Sequence, residues 1–119
     1  MNTREVGIKK EEAACIYLAG NGIRIKERNF RCRRGEIDVI GYDGEYLVFI
    51  EVKYRKNGSD KGSALEAVGI GKQKKICRVA DYYRMIHRCP LDMPIRFDVV
   101  AIDGDDIQWI KNAFEYIQI

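Results

Sequence analysis

The chain has 119 residues, 46% of them apolar and 33% charged. Those proportions fit one globular α/β domain with a single core and exclude a disordered chain. The formal net charge is +3, and no apolar run is long enough to span a membrane.

The charge is unevenly placed. Arg24, Lys26, Arg28, Arg31, Arg33 and Arg34 crowd one stretch, and Lys72, Lys74, Lys75 and Arg78 crowd another. Two solvated basic faces and a phosphate-binding surface account for this equally well. Cys15, Cys32, Cys77 and Cys89 include no C-x-x-C pair, which argues against a zinc site. The N-terminus shows no export signal, so four free thiols in a reducing cytoplasm are expected. His87 stands alone and reads as a helix-end or surface residue.

Residues 3–20 carry Ala13, Ala14, Tyr17 and Leu18 at helical spacing, and Gly20-Asn21-Gly22 should end that helix. Glu11 lies three residues before Ala14 and seven before Leu18, on the same apolar stripe. Glu12 is rotated by about 100° and should face solvent. From Ile23 to about Phe30, apolar and basic residues alternate, as in a half-exposed strand. A basic turn, Arg31 to Arg34, leads into a second strand from Glu36 to Gly41. Tyr42-Asp43-Gly44-Glu45 supplies a hairpin turn, and a third strand runs from Tyr46 to about Tyr54. In that strand Leu47, Phe49, Glu51 and Lys53 share one face, and Val48, Ile50 and Val52 the other. Both faces begin apolar, so the strand should be internal. Strict alternation puts Glu36, Asp38 and Ile40 on one face of the second strand, and the hairpin brings Asp38 toward Glu51.

Residues from Arg55 to about Ser63 read as a polar loop beside these strand ends, and Ala64 to Val68 as a short helical turn. A second helix is expected from Lys72 to about His87, with Ile76, Val79, Ala80 and Tyr83 facing the core and Gln73 on the same side. Cys89-Pro90 and Met93-Pro94 break the chain before a strand from Ile95 to Ile102. Asp103 to Asp106 is a turn, and Ile107 to about Ile110 a final strand, with Lys111 to Ile119 left unassigned. The expected order is α-β-β-β-α-β-β, a central mixed sheet of about five strands flanked by helices, in one domain over residues 1–119.

Charges inside apolar strands are costly unless paired or bound to metal. Asp38 and Glu51 would give Mg²⁺, or Mn²⁺, the oxygen ligands it prefers, with the Val52 carbonyl as a third and Glu11 approaching from the first helix. A metal so held lowers the pKa of a water and neutralises phosphate charge, which is phosphodiesterase chemistry. Lys53 would orient the water or stabilise developing negative charge, and Gln73 would hold the water or a phosphate. The contrary reading is a buried structural ion-pair network.

The residues also carry a family likeness. Asp38 followed by Glu51-Val52-Lys53 at a strand end resembles the PD-(D/E)xK nuclease superfamily, of restriction-endonuclease-like fold. Gly35-Glu36-Ile37-Asp38, Phe49-Ile50-Glu51-Val52-Lys53, the preceding Arg28-Asn29-Phe30-Arg31-Cys32-Arg33-Arg34 and Arg96-Phe97-Asp98-Val99-Val100 together resemble the UPF0102, or YraN-like, family. That family is similar in pattern to archaeal Holliday-junction resolvases. The resemblance implies a Mg²⁺-dependent endonuclease acting on DNA, branched or structured DNA among its substrates. Arg24, Lys26, Arg28, Arg31, Arg33, Arg34, Arg55, Lys72, Lys74 and Lys75 would contact the nucleic acid. A non-cleaving nucleic-acid-binding module and a protein-interaction partner are the alternatives. Relatives usually have Gly-Glu where this chain has Lys10-Glu11, and often Thr where it has Tyr54. Symmetric cutting of two strands by a one-site domain would need a homodimer.

Overall fold

The computed structural model describes residues 3–55 and 68–118. The elements are α1 (Thr3–Gly20), β1 (Arg24–Cys32), β2 (Gly35–Asp43), β3 (Tyr46–Arg55), α2 (Ile70–Ile86), β4 (Ile95–Asp103) and β5 (Asp106–Phe114). Their order is the expected one. The polar loop and the short helical turn read between Arg55 and Val68 fall on residues 56–67, outside the described residues.

All five strands join one sheet in the order β1-β2-β3-β4-β5. Neighbours are antiparallel except β3 and β4, which run parallel with Phe49 opposite Phe97. A parallel pair needs a long crossover, and α2 lies within it. Two of the three tight hairpins among the described residues turn on a glycine at φ 60, Gly44 after β2 and Gly104 after β4. An L side chain resists that conformation, so the Asp-Gly pairs fix both turns.

Each helix covers one face. Ala14, Cys15 and Leu18 of α1 pack with Val39, Val48, Ile50, Val100 and Ile102. Ile76, Val79, Ala80 and Tyr83 of α2 pack with Ile37, Ile40, Leu47, Phe49 and Phe97. The central strands are therefore buried on both sides, which explains their continuous apolar sequence. Helix α1 ends where Asn21 Nδ2 donates to the Tyr17 carbonyl (2.8 Å) and Gly22 takes φ 97.

Three strand details depart from the sequence expectation. Ile37 packs on the α2 side and Val39 on the α1 side, so strict alternation fails across Asp38. Opposite this break, Asn29 has φ 53, and pairing is made at Arg28–Val39 and Phe30–Ile37 on either side of it. Strand β5 also continues to Phe114, through residues left unassigned in the sequence. Its pairing with β4 shifts register between Phe97 and Val99, and Asn112 has φ 54.

The irregular β5 serves Asp98, which is 1% exposed. Arg96 Nε and Nη2 donate to its two carboxylate oxygens, each at 2.8 Å. Trp109 Nε1 (2.8 Å) and the Asn112 backbone N–H (2.9 Å) complete the set. Arg96 also holds Asp43 at 2.8 Å, which keeps the Asp43 carboxyl below its usual range. Thus the Arg96-Phe97-Asp98 segment ties β4 to β5 and to the β2–β3 turn, and a buried charge is tolerated because every donor finds an oxygen.

Candidate active site

The β2–β3 ladder pairs Val39 with Ile50 and ends there. Beyond it, the Val52 N–H donates to Asp38 Oδ2 at 2.8 Å. The aspartate side chain thus takes a ladder donor that β2 backbone no longer satisfies. Glu51, next to Val52, lies within hydrogen-bonding reach of the Asp38 carboxyl. The hairpin has brought the two acids together, as the sequence led us to expect.

Both line a cavity of about 370 Å³. Helix α1 contributes Gly7, Lys10 and Glu11 to its wall, and α2 contributes Lys72, Lys75 and Ile76. The sheet contributes Gly35, Glu36, Asp38, Glu51, Val52 and Tyr54. Residues of both faces of β3 can contribute because the cavity lies beyond the end of the β2–β3 ladder, where those two strands part.

Burial, with the Glu51 charge beside it, pushes the Asp38 carboxyl up to about 8. The hydrogen bond from Val52 works in the opposite direction, and the charge of Glu11 adds slightly to the rise. Lys72 Nζ sits 2.8 Å from Glu51 Oε2. That hydrogen bond holds the Lys72 ammonium above its ordinary pKa. Glu51 is 12% exposed and Lys72 54%, so the lysine reaches in from solvent. Lys72 thus pairs with Glu51, and a cation placed between the two adjacent carboxyls would favour the charged form of both.

Helical phase places the glutamates of α1 correctly. Glu11 lines the cavity, whereas Glu12 is exposed and pairs with Arg28 at 2.9 Å. Lys10 also lines the cavity, with its Nζ 3.0 Å from the Gly104 carbonyl of the β4–β5 turn. Gln73 Nε2 donates to the Val68 carbonyl at 2.7 Å, and Gln73 lies outside the residues lining the cavity. Lys53 is half-buried, paired in the ladder with Ala101, and also outside that lining. Tyr54, on the other face of β3, is in it. Sequence reasoning assigned Lys72 to phosphate contact and missed its contact with Glu51. No pattern distinguishes it from its neighbours Lys74 and Lys75.

The basic residues do not form one surface. Lys72 and Lys75 line the cavity, while Lys74 is exposed beyond it. Arg31, Arg33 and Arg34 line a separate recess, with Arg31 Nε on Glu36 at 2.8 Å. Along β1, Arg24 lies over the Tyr42 ring, Lys26 is exposed and Arg28 holds Glu12. Arg55 donates to the Tyr54 carbonyl at 3.1 Å. Arg78 is not on a solvated face: its guanidinium donates to the Ile117 carbonyl and lies over the Tyr116 ring.

The pattern described as "Uncharacterised protein family UPF0102" matches residues 10–102. The chain belongs to the UPF0102 family. It is 47% identical over 115 residues to a UPF0102 protein of Lachnoclostridium phytofermentans, covering 97% of each chain. A UPF0102 protein of Shewanella loihica is 46% identical over 108 residues, covering 91% of this chain and 92% of its own. One from Legionella pneumophila strain Corby is 43% identical over 115 residues, with 95% and 97% covered. These names state no activity. The matched span thus covers the cavity-lining residues from Lys10 to Ile76, and Arg96 and Asp98, while Trp109 and Asn112 of the Asp98 tie lie beyond it.

Among the described residues, no group of three or more His, Cys, Asp or Glu side chains is arranged to hold a metal ion. Nor is any helix long and apolar enough to cross a membrane. The four cysteines are free.

Proposed function

We propose that this chain is a cytoplasmic, Mg²⁺- or Mn²⁺-dependent endonuclease that hydrolyses phosphodiester bonds in DNA, branched or structured DNA among its substrates. The observation that carries the reading is the Asp38–Glu51 pair: two neighbouring carboxyls line one cavity, and one is pushed up to about 8. Such a pair is unfavourable when both are charged, and a divalent cation would relieve it. Magnesium needs few protein carboxylates because it keeps several waters, so a pair is a sufficient donor set.

Asp38, Glu51 and the Val52 carbonyl would hold the ion, with Glu11 reaching it directly or through water. Once bound, it would lower the pKa of a water and neutralise charge on the phosphate. Lys72 leaves Glu51 and takes the phosphate's negative charge, and Lys75 beside the cavity adds to the same field. Lys53 acts on charge developing next along β3. Gln73 stands at the start of α2, where its amide can hold water or phosphate after releasing Val68.

A non-cleaving nucleic-acid-binding module is the second reading. It is favoured by the Lys72–Glu51 contact, which neutralises one acid without metal. Four-way junction, flap, duplex and single-stranded DNA, each incubated with Mg²⁺ or Mn²⁺, separate the two. We expect metal-dependent cleavage of at least one substrate and its loss in Glu51→Ala. No cleavage of any substrate, with Asp38→Ala binding DNA like the parent, would sink the enzyme reading. Paired cuts would additionally call for a homodimer, which sedimentation at working concentration reads.

A further inference from the structure

The β1–β2 turn and the outer side of α2 enclose a second recess of about 720 Å³. It is lined by Arg31, Cys32, Arg33, Arg34 and Tyr82. The three arginines are exposed, and Arg31 holds Glu36 through its Nε. Tyr82 is 40% exposed. Its ring is backed by Phe30, a core residue, at 6.3 Å between centroids and tilted by 32°. Beyond it lies a smaller recess of about 240 Å³ that shares Tyr82 and Arg34. The acid there, Asp81, is already held by Arg78 and by the Tyr116 hydroxyl.

An aromatic ring fixed from behind, open in front and ringed by guanidinium groups suits an unstacked nucleobase with its flanking phosphates. A duplex, with its bases stacked inside, cannot use the ring. The recess is also aligned with the candidate site. Tyr82 lies seven residues after Lys75, two helical turns along the same side of α2. At about 1.5 Å per residue that is about 10 Å, the length of roughly three stacked nucleotides at about 3.4 Å each. The two places are also joined through the chain: Gly35, which lines the site cavity, directly follows Arg34 of the recess.

We propose that this recess takes an unpaired nucleotide of the bound strand, its base stacked on Tyr82 and its phosphates on Arg31, Arg33 and Arg34. The protein then prefers DNA with a single-stranded flank next to a duplex, the feature shared by flaps, gaps and frayed junctions. This rests on the nucleic-acid part of the proposed function and not on hydrolysis.

The test is equilibrium binding without divalent metal, read by fluorescence anisotropy. The probes are a labelled blunt duplex and the same duplex carrying four unpaired thymidines at either end of one strand. The parent binds a flanked duplex roughly tenfold or more tightly than the blunt one, within the range of one stacked base. Tyr82→Phe keeps that ratio. Tyr82→Ala brings it close to one, with a folded melting profile. Equal binding of the two probes by the parent overturns the proposal and needs no variant. So does a ratio that survives Tyr82→Ala. A Tyr82-dependent ratio in a protein that cleaves nothing leaves this site standing and removes the hydrolytic reading. Cleavage without any flank preference does the reverse.

Discussion

Replacing Asp38 by Asn isolates the electrostatic load of the site. The substitution keeps an oxygen for the Val52 N–H, now bonded at 2.8 Å, and removes the charge. In the parent, burial and the Glu51 charge raise the Asp38 carboxyl from the ordinary 3.8 to about 8. The folded state therefore keeps a proton that the unfolded chain has released. Folding stability falls as pH rises from about 4 to about 8, then levels off. The limiting slope is about 1.4 kcal/mol per pH unit. Over roughly four units that reaches about 5 kcal/mol, comparable to the whole stability of a marginal domain. Lys72 beside Glu51 offsets part of the repulsion, and water reaches the cavity. We therefore expect about 2–3 kcal/mol. Urea unfolding of metal-free protein at pH 5 and pH 8.5 measures it. Between those values the parent should lose about 2–3 kcal/mol more than Asp38→Asn. Metal binding should show the opposite trend, tightening as pH rises toward about 8 in the parent, because the ion competes with the proton. Parallel stability curves for parent and variant would refute the reasoning.

Lys72→Met releases Glu51 from an ion pair worth about 1 kcal/mol at a partly exposed position, so apparent Mg²⁺ affinity should rise roughly fivefold by calorimetry. Unchanged or weaker binding would mean that Lys72 does not compete for that carboxylate. Asp98→Ala strips the acceptor from the Arg96 guanidinium, the Trp109 indole N–H and the Asn112 N–H, and should cost about 3–5 kcal/mol in denaturant unfolding. A loss under about 1 kcal/mol would remove Asp98 from its structural role. Gly41→Ala would put a Cβ 2.8 Å from the Arg24 carbonyl oxygen and 2.9 Å from Ile23 Cγ2, so the β1–β2 backbone must give way. A cost of about 1–3 kcal/mol is expected, and a neutral thermal melt would contradict the close approach.

Periodicity made most of the fold legible. Apolar residues on both faces of β3 marked it as internal, and the stripe of Ile76, Val79, Ala80 and Tyr83 marked α2, because burial selects those positions directly. The phase of Glu11 against Glu12 was readable for the same reason. What periodicity could not give were the places where it is interrupted. Asn29 at φ 53 lies opposite one broken alternation and Asn112 at φ 54 lies beside the β4–β5 register shift, and neither residue type announces such a break by itself. The first leaves Ile37 and Val39 on opposite faces, on either side of Asp38, and the second hid the end of β5. Partner choice among long side chains was equally hidden. Lys72 reaches Glu51 and Arg78 reaches Ile117, yet both sit in one basic run that reads equally as a solvated face or a phosphate-binding surface. Tyr54 lines the cavity although strand phase turns it from Lys53, because β2 and β3 part beyond Val39 and Ile50 and open both faces of β3 to the same space.

The parallel pairing of β3 with β4 has a kinetic consequence. β1, β2 and β3 follow one another through short turns, and Asp38 meets Val52 across only 14 residues. Such local loops close early, whereas β4 must wait for the whole crossover containing α2. The two acids are therefore brought together before the helix that carries Lys72 has docked. Their repulsion opposes the first stage of folding, before Lys72 has arrived to relieve it. Mild acid should for that reason speed refolding itself, beyond its effect on the finished protein.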